Sequence, residues 1–244
     1  FRLKSCRNFF QGKELSDFFT FKVPGHKFMP AYRNKVWDGT IKLYNMFSQE
    51  IHSGLLDYVT TFAKERGYTY QVTFDTPHNK VSDDLVKRYL TDTLKISAGG
   101  KLIIPHDHQI RAISHAIKHE RCLLLSPTGS GKSLIIYGLL RHLMEKTNKK
   151  ILIIVPTTGL VSQMYSDFED YSKMNDWNVE ENCHKIYAGQ DKSTDKKIVI
   201  STWQSLYKLP AKYFEDFEIA FGDECHLFKA KSLTSIMSKL KNAK

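Results

Sequence analysis

The sequence predicts an α/β chain in which a doubly wound domain with a parallel sheet follows a smaller α+β domain. Two observations carry this. Beyond about residue 100, short aliphatic runs (Cys122–Leu125, Ile151–Val155, Ile198–Ser201 and Phe217–Phe221) alternate with helical segments that begin at Gly131, at Gly159, after Ser201 and near Lys231. Strands so uniformly apolar are buried on both faces, as a parallel sheet covered by crossover helices requires. Residues 1–96 lack that alternation, and Ser97-Ala-Gly-Gly100 marks the expected boundary between domains 1–96 and 97–244.

In the front part, Asp38-Gly39 lies between Tyr32–Trp37 and Thr40–Tyr44. Asp-Gly accepts the positive φ of a tight turn, so a β-hairpin is expected there. Alternation along its first strand would send Arg33, Lys35 and Trp37 to one face and Tyr32, Asn34 and Val36 to the other. Leu55, Leu56, Val59, Phe62 and Ala63 recur at helical spacing, and the helix over 55–66 should stop at Gly67. Tyr68–Phe74 reads as a strand, and Ser82-Asp83-Asp84 as the cap of a helix running to Leu94.

The chain of 244 residues leaves room for two modest domains or one large one. Its net charge of +10 and pI near 9.3 favour a polyanionic partner, because Lys and Arg gain by displacing counterions from phosphate. Cys6, Cys122, Cys183 and Cys225 are scattered with no C-x-x-C pair, so reduced thiols and an intracellular, cytoplasmic setting are expected. No signal peptide and no apolar run of bilayer-spanning length is present, so no membrane partner is expected. A start at Phe1 and an end at Lys244 suggest a fragment. His115 and His119 stand four apart on a probable helix, but without the Glu or cysteine pair of a zinc motif they read as a solvent-facing or packed pair. Lys146–Lys150 and Lys192–Lys197 read as solvated loops.

Chemistry concentrates in two segments. Leu123–Leu125 leads into Ser126-Pro-Thr128-Gly129-Ser130-Gly131-Lys132-Ser133, a glycine-rich turn that opens a helix. Gly129 and Gly131 supply the backbone freedom that lets consecutive N–H groups converge on phosphate, and the helix adds its positive end. Lys132 is placed for the β- and γ-phosphates and Ser133 for Mg²⁺, although Ser126 stands where the strict pattern has its first glycine. In the second segment, Phe217–Phe221 delivers Asp223-Glu224-Cys225-His226. Asp223 would hold the Mg²⁺ shell and Glu224 would orient and deprotonate the attacking water. His226 either couples nucleotide state to neighbouring loops or is a packed histidine. Together these segments imply an ATP-driven motor.

The ordered set Ser126–Ser133, Val155-Pro-Thr-Thr-Gly-Leu-Val-Ser-Gln163, Ser201-Thr-Trp-Gln-Ser-Leu206 and Asp223–His226 resembles the motifs of the first RecA-like lobe of superfamily 2 helicases. The resemblance implies a RecA-like P-loop NTPase lobe using ATP and Mg²⁺, with Pro156, Thr157 and Thr158 and then Thr202 and Gln204 holding a nucleic-acid backbone. It places an adenine-reading glutamine at Gln109, where Pro105-His-Asp-His108 replaces the usual aromatic neighbour. Phe28–Leu43 is further similar to the UvsW type of phage recombination helicase. That similarity implies remodelling of branched DNA and unwinding of RNA–DNA hybrids, in a host cytoplasm. It also implies that a second lobe with an arginine finger lies outside this chain.

Residues 22–44 interleave Lys22, Lys27, Arg33, Lys35 and Lys42 with Phe28, Tyr32, Trp37 and Tyr44. This is either a nucleic-acid surface, with Arg33, Lys35 and Trp37 in contact, or a small domain using aromatics for its core and lysines for solubility. Two other readings stay open on the same lobe: a double-strand DNA translocase or RNA helicase, and a non-catalytic nucleic-acid-binding module.

Overall fold

The computed structural model describes residues 2–4, 9–72, 81–187, 189, 191–229, 231–240 and 243. The chain divides into two compact units, Phe1–Asp75 and Thr76–Lys244.

The first unit contains β1 (Arg2–Lys4), α1 (Phe9–Phe18), β2 (Thr20–Lys22), α2 (Pro30–Arg33), β3 (Thr40–Lys42), β4 (Tyr44–Asn45), β5 (Glu50–His52) and α3 (Leu56–Glu65). Strands β1, β5 and β4 form an antiparallel sheet in that order, and β2 pairs with β3. Leu15, Phe19, Tyr44, Ile51 and Phe62 make its core. The amphipathic helix expected over 55–66 is α3 with a preceding short turn, and it buries Phe62 and Ala63.

The hairpin expected at Asp38-Gly39 does not form. Pro30 occupies the first position of α2, where its fixed φ suits a helix and its missing N–H costs nothing. The helix closes with Lys35 left-handed at φ 55°, Lys35 N–H on the Tyr32 carbonyl and Val36 N–H on the Ala31 carbonyl. Asp38 Oδ1 accepts from the Thr40 N–H and hydroxyl, and Gly39 is needed because a Cβ there would lie 2.5 Å from the His26 ring. Strand β3 therefore pairs with β2, and Arg33, Lys35 and Trp37 do not share a strand face. Residues 68–72 are irregular where a strand was expected, and the rest of that segment lies outside the described residues.

The second unit begins before the expected boundary. Ser82 caps α4 (Asp83–Arg88) by accepting from Leu85 N–H, and a wider turn continues over Tyr89–Thr93. Val86, Leu90, Leu94 and Ile96 lie in the core of this unit, which places the division after Asp75 rather than after Ile96. Ser97-Ala-Gly-Gly is no linker. Its two glycines, at φ 57° and 74°, turn β6 (Ser97–Ala98) back onto β7 (Lys101–Leu102), the positive-φ pair that a two-residue hairpin favours.

There follow α5 (Asp107–His119), α6 (Lys132–Met144), β8 (Lys150–Val155), α7 (Thr158–Ser172), α8 (Val179–Asn182), β9 (Cys183–Ile186), β10 (Ile198–Thr202), α9 (Trp203–Leu206), β11 (Phe217–Gly222) and α10 (Lys231–Lys239). Strands β11, β8, β10 and β9 form a parallel sheet in that order. Ile151, Ile153, Val155, Ile198 and Ile200 face a core shared with α4 to α7, while Leu152, Ile154 and Val199 face a second core with α9 and α10. Both faces are covered, which explains the unbroken aliphatic runs.

One expected strand does not pair. Cys122–Leu125 joins no sheet among the described residues, and Leu123 and Leu125 are 64% and 90% exposed. An aliphatic run signals the capacity to be buried, but it names no neighbour. Cys122, Cys183 and Cys225 carry free thiols, and Cys6 lies outside the described residues. No described helix is long and apolar enough to cross a membrane.

Candidate nucleotide and nucleic-acid site

Strands β8, β10 and β11 end at Val155, Thr202 and Gly222, so the segments that follow them open at the carboxyl edge of the sheet, where doubly wound folds bind ligands. The glycine-rich turn joins them through α6. Gly131, left-handed at φ 77°, is the N-cap of that 13-residue helix, and Gly129 sits at φ 80°.

The start of α5 braces this turn. Gln109 is buried; its Oε1 accepts from His106 N–H at 2.9 Å, and its Nε2 donates to the Ser130 carbonyl at 3.0 Å. His108 Nε2 lies 2.9 Å from the same carbonyl. A side chain at position 131 would displace the Gln109 amide, and the positive φ there already favours glycine. Ser126, in place of the strict pattern's glycine, bonds the Ser130 hydroxyl, which in turn donates to the Pro127 carbonyl at 2.7 Å. Thr128 is exposed on the turn.

The turn and the acidic loop meet directly. Lys132 Nζ donates to Glu224 Oε1 at 2.7 Å across 92 residues of sequence. This hydrogen bond raises the lysine's pKa and holds the Glu224 carboxyl below its usual value. Glu224 Oε2 lies 3.3 Å from His226 Nδ1, and the His226 side chain is exposed, so the packed alternative for that histidine does not hold. Asp223 is aligned by its own N–H on the Ile154 carbonyl, and its Oδ1 accepts the Glu224 N–H at 3.0 Å. Glu224 itself adopts φ 51°, an uncommon conformation for a side-chain-bearing residue. The Ser133 hydroxyl is 2.9 Å from that of Tyr171. A hydroxyl and a carboxylate, Ser133 and Asp223, are hard oxygen donors that fit Mg²⁺, which keeps waters and phosphate oxygens for its remaining positions.

A cleft of about 530 Å³ lies between the loops after β8 and β10. Pro156, Thr157, Thr158, Thr202 and Gln204 line it, so the five residues that sequence resemblance singled out here are brought together. Thr157 caps α7 by accepting from Leu160 N–H, and Gln204 Nε2 reaches the Pro156 carbonyl at 3.4 Å. Thr202 is buried, with its hydroxyl on Ser205. Tyr187 and Lys192 also line the cleft, and sequence reasoning missed both. Lys192 is exposed in an irregular segment, as its reading as part of a solvated loop expects, and that segment also borders the cleft.

Arg33 and Lys35 are exposed on the first unit. Trp37 is half-buried, with its indole N–H on the Thr40 carbonyl at 2.7 Å, which makes its ring part of the local structure.

Residues 102–244 match the family described as the type III restriction enzyme, res subunit, and residues 7–75 match the N-terminal domain of DNA helicase UvsW. The ATP-dependent DNA helicase uvsW of Enterobacteria phage T4 is 36% identical over 236 residues, covering 94% of this chain and 45% of that protein. The chain thus spans less than half the length of this relative. The crystal structure of the UvsW helicase from bacteriophage T4 superposes with a TM-score of 0.83 at 35% identity, covering 98% of this chain and 84% of that one. The yeast DEAD-box splicing factor Prp28 shares the fold at 19% identity, with a TM-score of 0.51 over 76% of this chain and 48% of that one.

Proposed function

Since the chain belongs to the superfamily 2 helicases, in the family of the type III restriction res subunit, we propose that it is the ATP-binding front half of a motor that remodels branched DNA. The observation that carries this reading is the Lys132–Glu224 contact, which sets the phosphate-binding turn and the acidic loop against each other in one lobe. Lys132 pairs with Glu224 in the structure. A triphosphate drawn into the turn competes for the lysine, because a phosphate carries more charge than a single carboxylate. Glu224 is then released to orient and deprotonate water, while Gln109 keeps the turn in place. Mg²⁺, held by Ser133 and Asp223, would offset the charge that develops on the phosphates.

The cleft at Pro156–Thr158 and Thr202–Gln204 is assigned to one nucleic-acid strand. It offers hydroxyls, backbone N–H groups and the positive end of α7, which suit phosphate and read no sequence. The net charge of +10 is in keeping with such a partner. We assign the first unit to recognition of the branch, with Arg33 and Lys35 on phosphate, and RNA–DNA hybrids as a second substrate. The T4 likeness suggests the cytoplasm of an infected host as the working compartment.

The test is a titration of a fluorescent ATP analogue with Mg²⁺ against the wild-type chain and Lys132→Ala. The variant should lose at least tenfold in affinity, the order expected for a charge-assisted contact. Equal affinities would refute the assignment of the turn.

A further inference from the structure

Helices α6 and α7 are joined side by side by polar contacts. Ser133 meets Tyr171, Tyr137 Oη meets Ser172 Oγ at 3.0 Å, and Arg141 Nη1 reaches Asn175 Oδ1 at 3.4 Å. The second binds helix to helix, and the third ties α6 to Asn175, just beyond the end of α7. The first is different, because it ends on a hydroxyl one residue from Lys132.

We propose that Tyr171 is a positioning residue that orients the Ser133 hydroxyl toward Mg²⁺ and ties it, through α7, to the nucleic-acid cleft. The inference rests on the nucleotide-site reading given above and deepens it. A serine that ligates a cation does so through an oxygen lone pair, so its proton must be given to another acceptor. The Tyr171 oxygen, 2.9 Å away, is placed to take it and thereby fixes the rotation of the hydroxyl. Tyr171 is itself constrained. Its ring stands edge-on to Tyr137 with centroids 5.4 Å apart.

The same helix begins in the cleft. Thr157 caps α7 and Thr158 is its first residue, and both line the cleft, while Tyr171 belongs to its last turn. Val161, Met164, Phe168 and Ser172 are buried along its length, so it moves as one body. Its 15 residues span about 22 Å. A strand that draws on the α7 N-terminus therefore acts on Tyr171, and through it on the Mg²⁺ hydroxyl. Coupling of this kind needs a rigid element contacting both sites, and α7 meets that requirement.

The test compares wild type with Tyr171→Phe, using the fluorescent ATP analogue in EDTA and in MgCl₂, each with and without a thymidine oligonucleotide. In EDTA the two proteins should bind equally. In MgCl₂ the variant should bind roughly two- to tenfold more weakly, the span of one net hydrogen bond. The effect of the oligonucleotide on analogue affinity should shrink in the variant, and by linkage so should the effect of the analogue on oligonucleotide affinity. Equal affinity in MgCl₂ would overturn the proposal. So would an equal loss in EDTA and MgCl₂, which would mark Tyr171 as a structural staple. An oligonucleotide effect of wild-type size in the variant would overturn the link through α7. A wild-type chain that fails to bind the analogue at all would instead remove the nucleotide site, and this inference with it.

Discussion

Replacing Lys132 by alanine removes the cation that faces Glu224, and the structure sets the size of the loss. At 2.7 Å the contact is a charge-assisted hydrogen bond, but the two side chains keep 31% and 34% of their exposure. Water screens a pair this open, so its contribution to stability is about 0.2–1 kcal/mol rather than the several of a buried pair. In a domain of this size that corresponds to a melting shift of about 0.4–4 °C. The pH dependence follows from the directions of the two shifts. Glu224 has a lowered pKa in the folded chain, so its share is present above its ordinary 4.5 and lost as pH falls through the folded value. Lys132 has a raised pKa, so its share is present below 10.5 and lost only as pH rises through the folded value. The coupling is therefore full at neutral pH and fades in acid. A double-mutant cycle of Lys132→Ala, Glu224→Gln and the combined variant, followed by thermal melts from pH 7 down to pH 3, measures it. A coupling of zero at pH 7, or one that persists undiminished at pH 3, would refute the reasoning.

Three further variants have expected outcomes. Gly131→Ala should lower stability by about 1–2 kcal/mol, the cost of a left-handed alanine, and should weaken analogue binding as Gln109 is pushed from the Ser130 carbonyl; denaturant melts and the analogue titration read the two effects. In the cleft, Lys192→Ala should flatten the salt dependence of single-strand binding by roughly 0.7 in log–log slope. Tyr187→Ala should cost about 1–3 kcal/mol at unchanged slope if its ring stacks on a base. A titration at several salt concentrations separates them, and wild-type behaviour of both variants would take Tyr187 and Lys192 out of the interface.

The parallel sheet was legible because β8 and β10 are buried on both faces, and burial is what an aliphatic run reports. The same signal misled at Cys122–Leu125, where the run is as apolar but no partner strand stands beside it among the described residues. Local chemistry was legible where a single residue decides it. Ser82 caps α4 as expected, and Gly131 opens α6. It failed where two local signals compete: the Asp38-Gly39 turn signal lost to Pro30, which starts a helix eight residues earlier and absorbs the supposed first strand. Ser97–Gly100 had the composition of a linker, yet Ser97 Oγ donates to the Asp170 carbonyl and Gly99 N–H to the Asp170 carboxylate, contacts 73 and 71 residues away that no local pattern announces. The phosphate-binding and acidic residues were found because each set is contiguous within its own short motif, Ser126–Ser133 and Asp223–His226. Tyr171 was not, since its importance comes from a helix packing beside Ser133.

Glu224 is held at φ 51°, where glycine is at ease and a side chain is strained by about 1–2 kcal/mol. Its pairing with Lys132 returns no more than about 1 kcal/mol. Glycine at this position should therefore make a sturdier protein than glutamate does. A library sorted only for thermal resistance would drift toward Glu224→Gly and discard the proposed water-activating carboxylate while its scores improved. For this lobe, heat tolerance is a misleading proxy for a working motor, and any selection scheme must keep position 224 out of the randomised set.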